Sequence, residues 1–184
     1  MREESGLEFL GAEAEAVALL RGELVDARTG LYSFSVFMQF VELEFYRFEA
    51  YHVPFSVILF ELAQTDSEPM PVEALTAAAL RMKLVLRGVD VIGHAGSSPS
   101  DFGILLPGLR PAQSLVTASK ALQALTASCL AAGLNKRTLR TSFGVAGLPD
   151  DGVEIDALMR AALQARHDAE GKPFPVTCAR GKDR

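Results

Sequence analysis

Arg87 and Asp90, separated by Gly88 and Val89, are the residues of this sequence best suited to hold a small anionic or nucleobase ligand. Arginine presents a planar, permanently charged fork that can lie against a phosphate or the acceptor edge of a guanine, and aspartate accepts from paired N–H groups. The same spacing also lets the two side chains satisfy each other at the entrance to a strand, and spacing alone leaves both roles open. His94, beside Gly93, is a candidate second ligand contact, with a structural imidazole as the alternative. Glu61 and Asp101 are acids that flank apolar runs, candidates for divalent metal ligation or for plain capping carboxylates. The run Gly93-His-Ala-Gly-Ser-Ser is glycine-rich but lacks the lysine and the spacing of a phosphate loop. Ser97, Ser98 and Ser100 sit in no G-x-S-x-G elbow, so a flexible serine loop is expected there.

These residues must be positioned by the elements around them. Residues 7 to 24 carry apolar positions at three- and four-residue steps (Leu7, Leu10, Ala14, Ala18, Leu24), the pattern of an amphipathic helix that docks on the domain or pairs with a second chain. Asp26-Ala-Arg-Thr-Gly-Leu-Tyr reads as a turn, and residues 35 to 51 as a long helix with Phe37, Phe40, Val41, Leu43 and Phe48 inward. Phe55-Ser-Val-Ile-Leu-Phe-Glu-Leu follows Pro54 as a buried strand, residues 64 to 71 as a polar loop, and residues 72 to 86 as an Ala- and Leu-rich helix. Further strands are expected at 89 to 92, 102 to 107 and 139 to 146, with helices at 111 to 132 and 156 to 170. Strands alternating with helices imply an α/β sandwich around one central sheet.

Composition narrows the function classes. At 184 residues and 49% apolar content the chain suits one globular domain with a substantial core. A formal net charge of -5 and an isoelectric point near 5.2 argue against a nucleic-acid backbone as partner, while a small anion needs only local positive charge. Cys129 and Cys178 lie far apart without metal-ligand spacing, which suggests reduced thiols. No run approaches the apolar length of a membrane span, and Glu3, Glu4 and Glu8 stand where a secretory leader would be basic and then apolar. A cytoplasmic location without membrane insertion is expected.

Five phrases, in order, resemble the GGDEF domain. They are Asp26 to Tyr32 (DARTGLY) for the opening D-x-L-T-G-L; Phe55 to Leu62, with Glu61 at the first metal-binding acid; Arg87-Gly-Val-Asp90 for the RxxD inhibitory site; Asp101-Phe-Gly-Ile-Leu-Leu-Pro for E-F-a-i-L-L-P; and Thr141-Ser-Phe-Gly-Val-Ala for T-v-S-i-G-v-A. The resemblance spans residues 26 to 171 and includes a final helix from Leu158. It implies a nucleotide-cyclase-like sandwich with a central, mostly antiparallel sheet flanked by helices. The expected organisation is an N-terminal helix or linker over 1–24 and a degenerate GGDEF domain over 25–184.

"Degenerate" rests on the signature. Its five positions read Ser98, Pro99, Ser100, Asp101 and Phe102. In the family two glycines admit phosphate close to the backbone, and the acids after them hold divalent metals. Pro99 has no N–H for a phosphate, and Ser100 cannot replace a charged ligand. The segment Ala63-Gln-Thr-Asp-Ser-Glu-Pro-Met lacks the family's metal, phosphate and guanine contacts. Glu170 stands near the usual phosphate-binding lysine, and Phe34 replaces the arginine that usually pairs with the opening Asp. The resemblance therefore implies no catalytic residues, no cofactor and no bound metal, with Glu61 and Asp101 as residual acids. Cyclic di-GMP is the expected ligand, held by Arg87 and Asp90 with His94 nearby, and a protein partner or homodimer is the expected output. A nucleotide-independent interaction module and a divergent active diguanylate cyclase are the alternatives.

Overall fold

The apolar run after Pro54 forms the middle of a five-stranded sheet, which a computed structural model describes within residues 24–66, 68–134 and 137–179. Among these residues the chain runs α1 (Phe34–Tyr51), β1 (Phe55–Gln64), α2 (Val72–Val85), β2 (Val91–His94), β3 (Asp101–Pro107), α3 (Pro111–Thr126), β4 (Leu139–Leu148), α4 (Ile155–Ala169) and β5 (Val176–Cys178). Strand order is β2-β3-β1-β4-β5, antiparallel except for the parallel pair β4 and β5. The mixed α/β sandwich and mostly antiparallel sheet agree with the fold class expected. The helix expected over residues 7 to 24 lies outside the described residues apart from Leu24. No helix among the described residues is long and apolar enough to cross a membrane.

β1 is covered on both faces, which explains its unbroken apolar run. Ile58, Phe60 and Leu62 face α2 and α3, packing with Ala78, Met82, Ala118 and Ala121. Phe60 is stacked between Phe102 and Phe143, with ring centroids 5.0 and 4.7 Å away. Each such buried ring stabilises the fold by about 1.5–3 kcal/mol through removal from water. Val57 and Leu59 face the other way, toward Phe37 and Val41 of α1 and Leu158 and Ala162 of α4. The small alanines of α2 and α3 let those helices lie close to the sheet, as their composition suggests.

Three local expectations need correction. Leu43 is 61% exposed rather than inward, because it lies about 200° around α1 from Val41, which faces the sheet. β2 starts at Val91 rather than at residue 89, because residues 87 to 90 are held in a turn in which Asp90 N donates to Arg87 O at 3.0 Å. α3 ends at Thr126 instead of continuing to 132. There the Arg81 guanidinium reaches over from α2 and donates to the carbonyls of Ala124, Leu125, Ser128 and Cys129 and to Ser128 Oγ, at 2.8–3.3 Å, which satisfies the helix end early. β5 carried no clear signal, since its three residues form a strand only by pairing with β4.

Candidate functional site

The Arg87–Asp90 turn is closed on itself. Asp90 Oδ2 accepts the Arg87 backbone N–H at 2.8 Å, and Arg87 Nε and Nη2 donate to Oδ1 at 3.0 and 2.6 Å. Nη2 also donates to the Pro107 carbonyl at 3.0 Å, tying the turn to the end of β3. The Asp90 side chain is 1% exposed and that of Arg87 45%. In this state the guanidinium is presented to solvent and the carboxylate is not.

His94 is brought toward the opening turn rather than toward Arg87. Its Nε2 lies 2.9 Å from Thr29 Oγ1, its ring tilts against Phe102, and its backbone N–H donates to Tyr32 O. Burial holds its basicity below the ordinary histidine value. The opening Asp26 finds its cation inside its own turn. Arg28 Nη2 donates to Asp26 Oδ2 at 2.6 Å, and the backbone N–H groups of Arg28 and Thr29 donate to Oδ1. These contacts, the Arg28 side chain foremost, hold the carboxyl well below the usual carboxylate range. Arg28 thus serves as the cation for Asp26 from within the turn.

The two residual acids stand side by side. Glu61 of β1 pairs with Asp101 of β3 on one side and Ser142 of β4 on the other, so the three side chains leave the same face of the sheet. α4 crosses that face unusually closely at Gly144, where a Cβ would collide with the Ala162 carbonyl and the Arg166 amide. This approach sets Arg166 over the row. Arg166 Nη1 donates to Asp101 Oδ1 at 2.9 Å, and Nη2 lies 3.8 Å from Glu61 Oε2. The Arg166 side chain is only 12% exposed.

The signature loop turns tightly between β2 and β3. Ser100 N donates to Ser98 Oγ at 3.2 Å, Asp101 N to Ser98 O at 3.1 Å, and Ser100 O accepts Leu62 N. Pro99 has no donor. Gly96 lies directly beneath the Asp101 carboxylate, where a Cβ would strike it. Phe102 points into the core and anchors the hairpin.

A divalent metal does not fit these residues. A fixed guanidinium already bridges the acid pair, Ser100 supplies no carboxylate, and among the described residues no three His, Cys, Asp or Glu side chains converge. Beyond the ends of β1 and β4 a cleft of about 560 Å³ is lined by Glu61, Arg140, Thr141, Ser142, Glu170 and Lys172. Its charges are mixed, with Glu61 and Glu170 lining the same cleft as Arg140 and Lys172.

Sequence reasoning missed Arg166, Arg28, Gly144 and Lys172. The Asp26/Arg28 spacing inside a turn was available as a signal, whereas Arg166 lies 65 residues from Asp101 on an ordinary amphipathic helix.

No protein-family model matches the sequence, and no curated protein matches it. Solved structures do. The coiled coil and GGDEF domain of DgcB from Caulobacter crescentus, in complex with c-di-GMP, superposes with a TM-score of 0.78 at 15% identity, over 96% of each chain. The GGDEF domain of FimX from Pseudomonas aeruginosa gives 0.72 at 21% identity, over 84% of this chain and 98% of that one. The diguanylate cyclase SiaD in complex with its activator SiaC, also from Pseudomonas aeruginosa, gives 0.71 at 18% identity, over 95% of this chain and 68% of that one. This chain has the fold of GGDEF domains.

Proposed function

We propose that this chain is a catalytically silent GGDEF-fold signalling module that acts in the cytoplasm through contact with a protein partner or a second copy. The observation that carries the reading is the commitment of the signature backbone. Pro99 has no N–H, and those of Ser100 and Asp101 are both spent on Ser98. A phosphate needs several free backbone donors converging on it. Fold alone does not decide activity. The SiaD–SiaC complex supports a protein-contact role by analogy.

Purified protein incubated with GTP and Mg²⁺ or Mn²⁺ is expected to form no cyclic di-GMP. Turnover that disappears in Glu61→Ala would overturn the reading in favour of a divergent cyclase.

A second reading, a cyclic di-GMP effector, is favoured by the half-exposed guanidinium of Arg87 and by the c-di-GMP present in the DgcB complex. Asp90 takes part only if Arg87 swings off it, and His94 only if it leaves Thr29. Calorimetric titration with cyclic di-GMP separates the two readings. Saturable binding lost in Arg87→Ala establishes the effector, and absence of heat leaves the interaction module.

A further inference from the structure

We propose that Arg166 is a built-in cation in the place a divalent ion would take between Glu61 and Asp101, so that removing one guanidinium opens a latent metal site. Two carboxylates directly opposite on neighbouring antiparallel strands repel each other. Both are partly shielded, at 38% and 22% side-chain exposure, so water does not fully relieve the repulsion. Some positive charge must stand over them, and the fold supplies it from α4. Arg166 Nε is buried with no acceptor, so the guanidinium lies where the carboxylates need it and not where its own hydrogen bonds would be complete. Gly144 is the second element of the device, since its missing side chain lets α4 come low enough for Arg166 to reach the row. Without Arg166 the face presents two carboxylates and the Ser142 hydroxyl, an all-oxygen set suited to Mg²⁺ or Mn²⁺ with water completing the shell.

The inference rests on the reading of a silent cleft, but the two fail separately, because GTP turnover by the unaltered protein would remove that reading while metal titration reports only on the acid row. The test is Mn²⁺ binding, followed by electron paramagnetic resonance of free Mn²⁺ and by thermal shift, for the unaltered chain, Arg166→Ala, Arg166→Gln, Arg166→Lys and Arg166→Ala with Glu61→Gln. Arg166→Ala and Arg166→Gln are expected to gain one saturable site, at least ~10-fold tighter than any binding by the unaltered chain or Arg166→Lys, and Glu61→Gln is expected to abolish it. Mn²⁺ should raise the melting temperature of the two neutral variants only. Equal binding by the unaltered chain overturns the proposal. So does failure of both neutral variants to bind when folded, or to recover folding when Mn²⁺ is added.

Discussion

Asp90 is sealed beneath Arg87, with 1% of the carboxylate side chain exposed against 45% of the arginine above it. Removing the arginine leaves a buried acid with only the residue 87 backbone N–H as donor. Arg87→Ala should therefore destabilise the protein by about 1–2 kcal/mol, a charged-group hydrogen-bond cost reduced because the guanidinium is half solvated. Arg87→Lys should lose most of this too, since one ammonium cannot serve Asp90 and Pro107 O with the same fork. Urea midpoints measure both. A lysine variant as stable as the parent would mean that the fork has no structural role.

Gly144 makes a separate prediction. A methyl group there meets backbone of α4, not a flexible side-chain tip. Gly144→Ala should lower stability by about 1–3 kcal/mol through overpacking, and should loosen the Arg166–Asp101 contact as α4 lifts. Denaturant unfolding gives the first effect. The second appears as faster amide exchange in the β2–β3 hairpin than in β1. A neutral substitution would show that α4 has room to shift.

The sheet was legible because its signals are local. β1 announces itself by an apolar run after a proline, and the alanines of α2 and α3 report close packing. That Pro99 offers no N–H and Ser100 no carboxylate was also legible, since residue type does not depend on the fold. What stayed hidden depends on partners distant in the chain. Leu43 carries the right hydropathy for a core residue, but only the docking angle of α1 decides that it faces solvent. Arg166 meets Asp101 only after α4 settles on Gly144, and α3 is cut short by an arginine from α2. Arg87 and Asp90 were visible as a pair, but whether they face a ligand or each other is a rotamer question that no spacing answers.

The two thiols should differ in reactivity. Cys129 is exposed, whereas burial in β5, reinforced by the Asp151 and Asp150 charges, pushes the Cys178 thiol up to about 11. At pH 8 only about one Cys178 in a thousand would be thiolate, the form that attacks alkylating agents. Timed treatment with iodoacetamide at pH 8, read by intact mass, should give one fast addition that disappears in Cys129→Ser. Rapid modification of Cys178 in the folded protein would contradict its burial.

His94 should give the fold a pH dependence of definite sign. Its side chain is almost fully enclosed, and burial is the largest influence on it, lowering its basicity from the ordinary value of 6.5. The Arg28 charge adds to the lowering, while Asp26 and Asp101 oppose it. The folded state therefore favours the neutral ring, which sits 2.9 Å from Thr29 Oγ1. In the unfolded chain the same ring titrates near 6.5. Below that value the unfolded state takes up a proton that the folded state resists, so stability is fully present above 6.5 and is lost as the pH falls through it toward the lowered folded-state value. Other ionisable groups add their own acid dependence, so the comparison must be differential. Urea unfolding of the parent and of His94→Gln at several pH values from about 7.5 down to about 5 should show the parent losing more stability than the variant, with the gap opening below 6.5. Parallel curves for the two proteins would mean that His94 takes up its proton as readily folded as unfolded, and that its contact with Thr29 does not depend on a neutral ring.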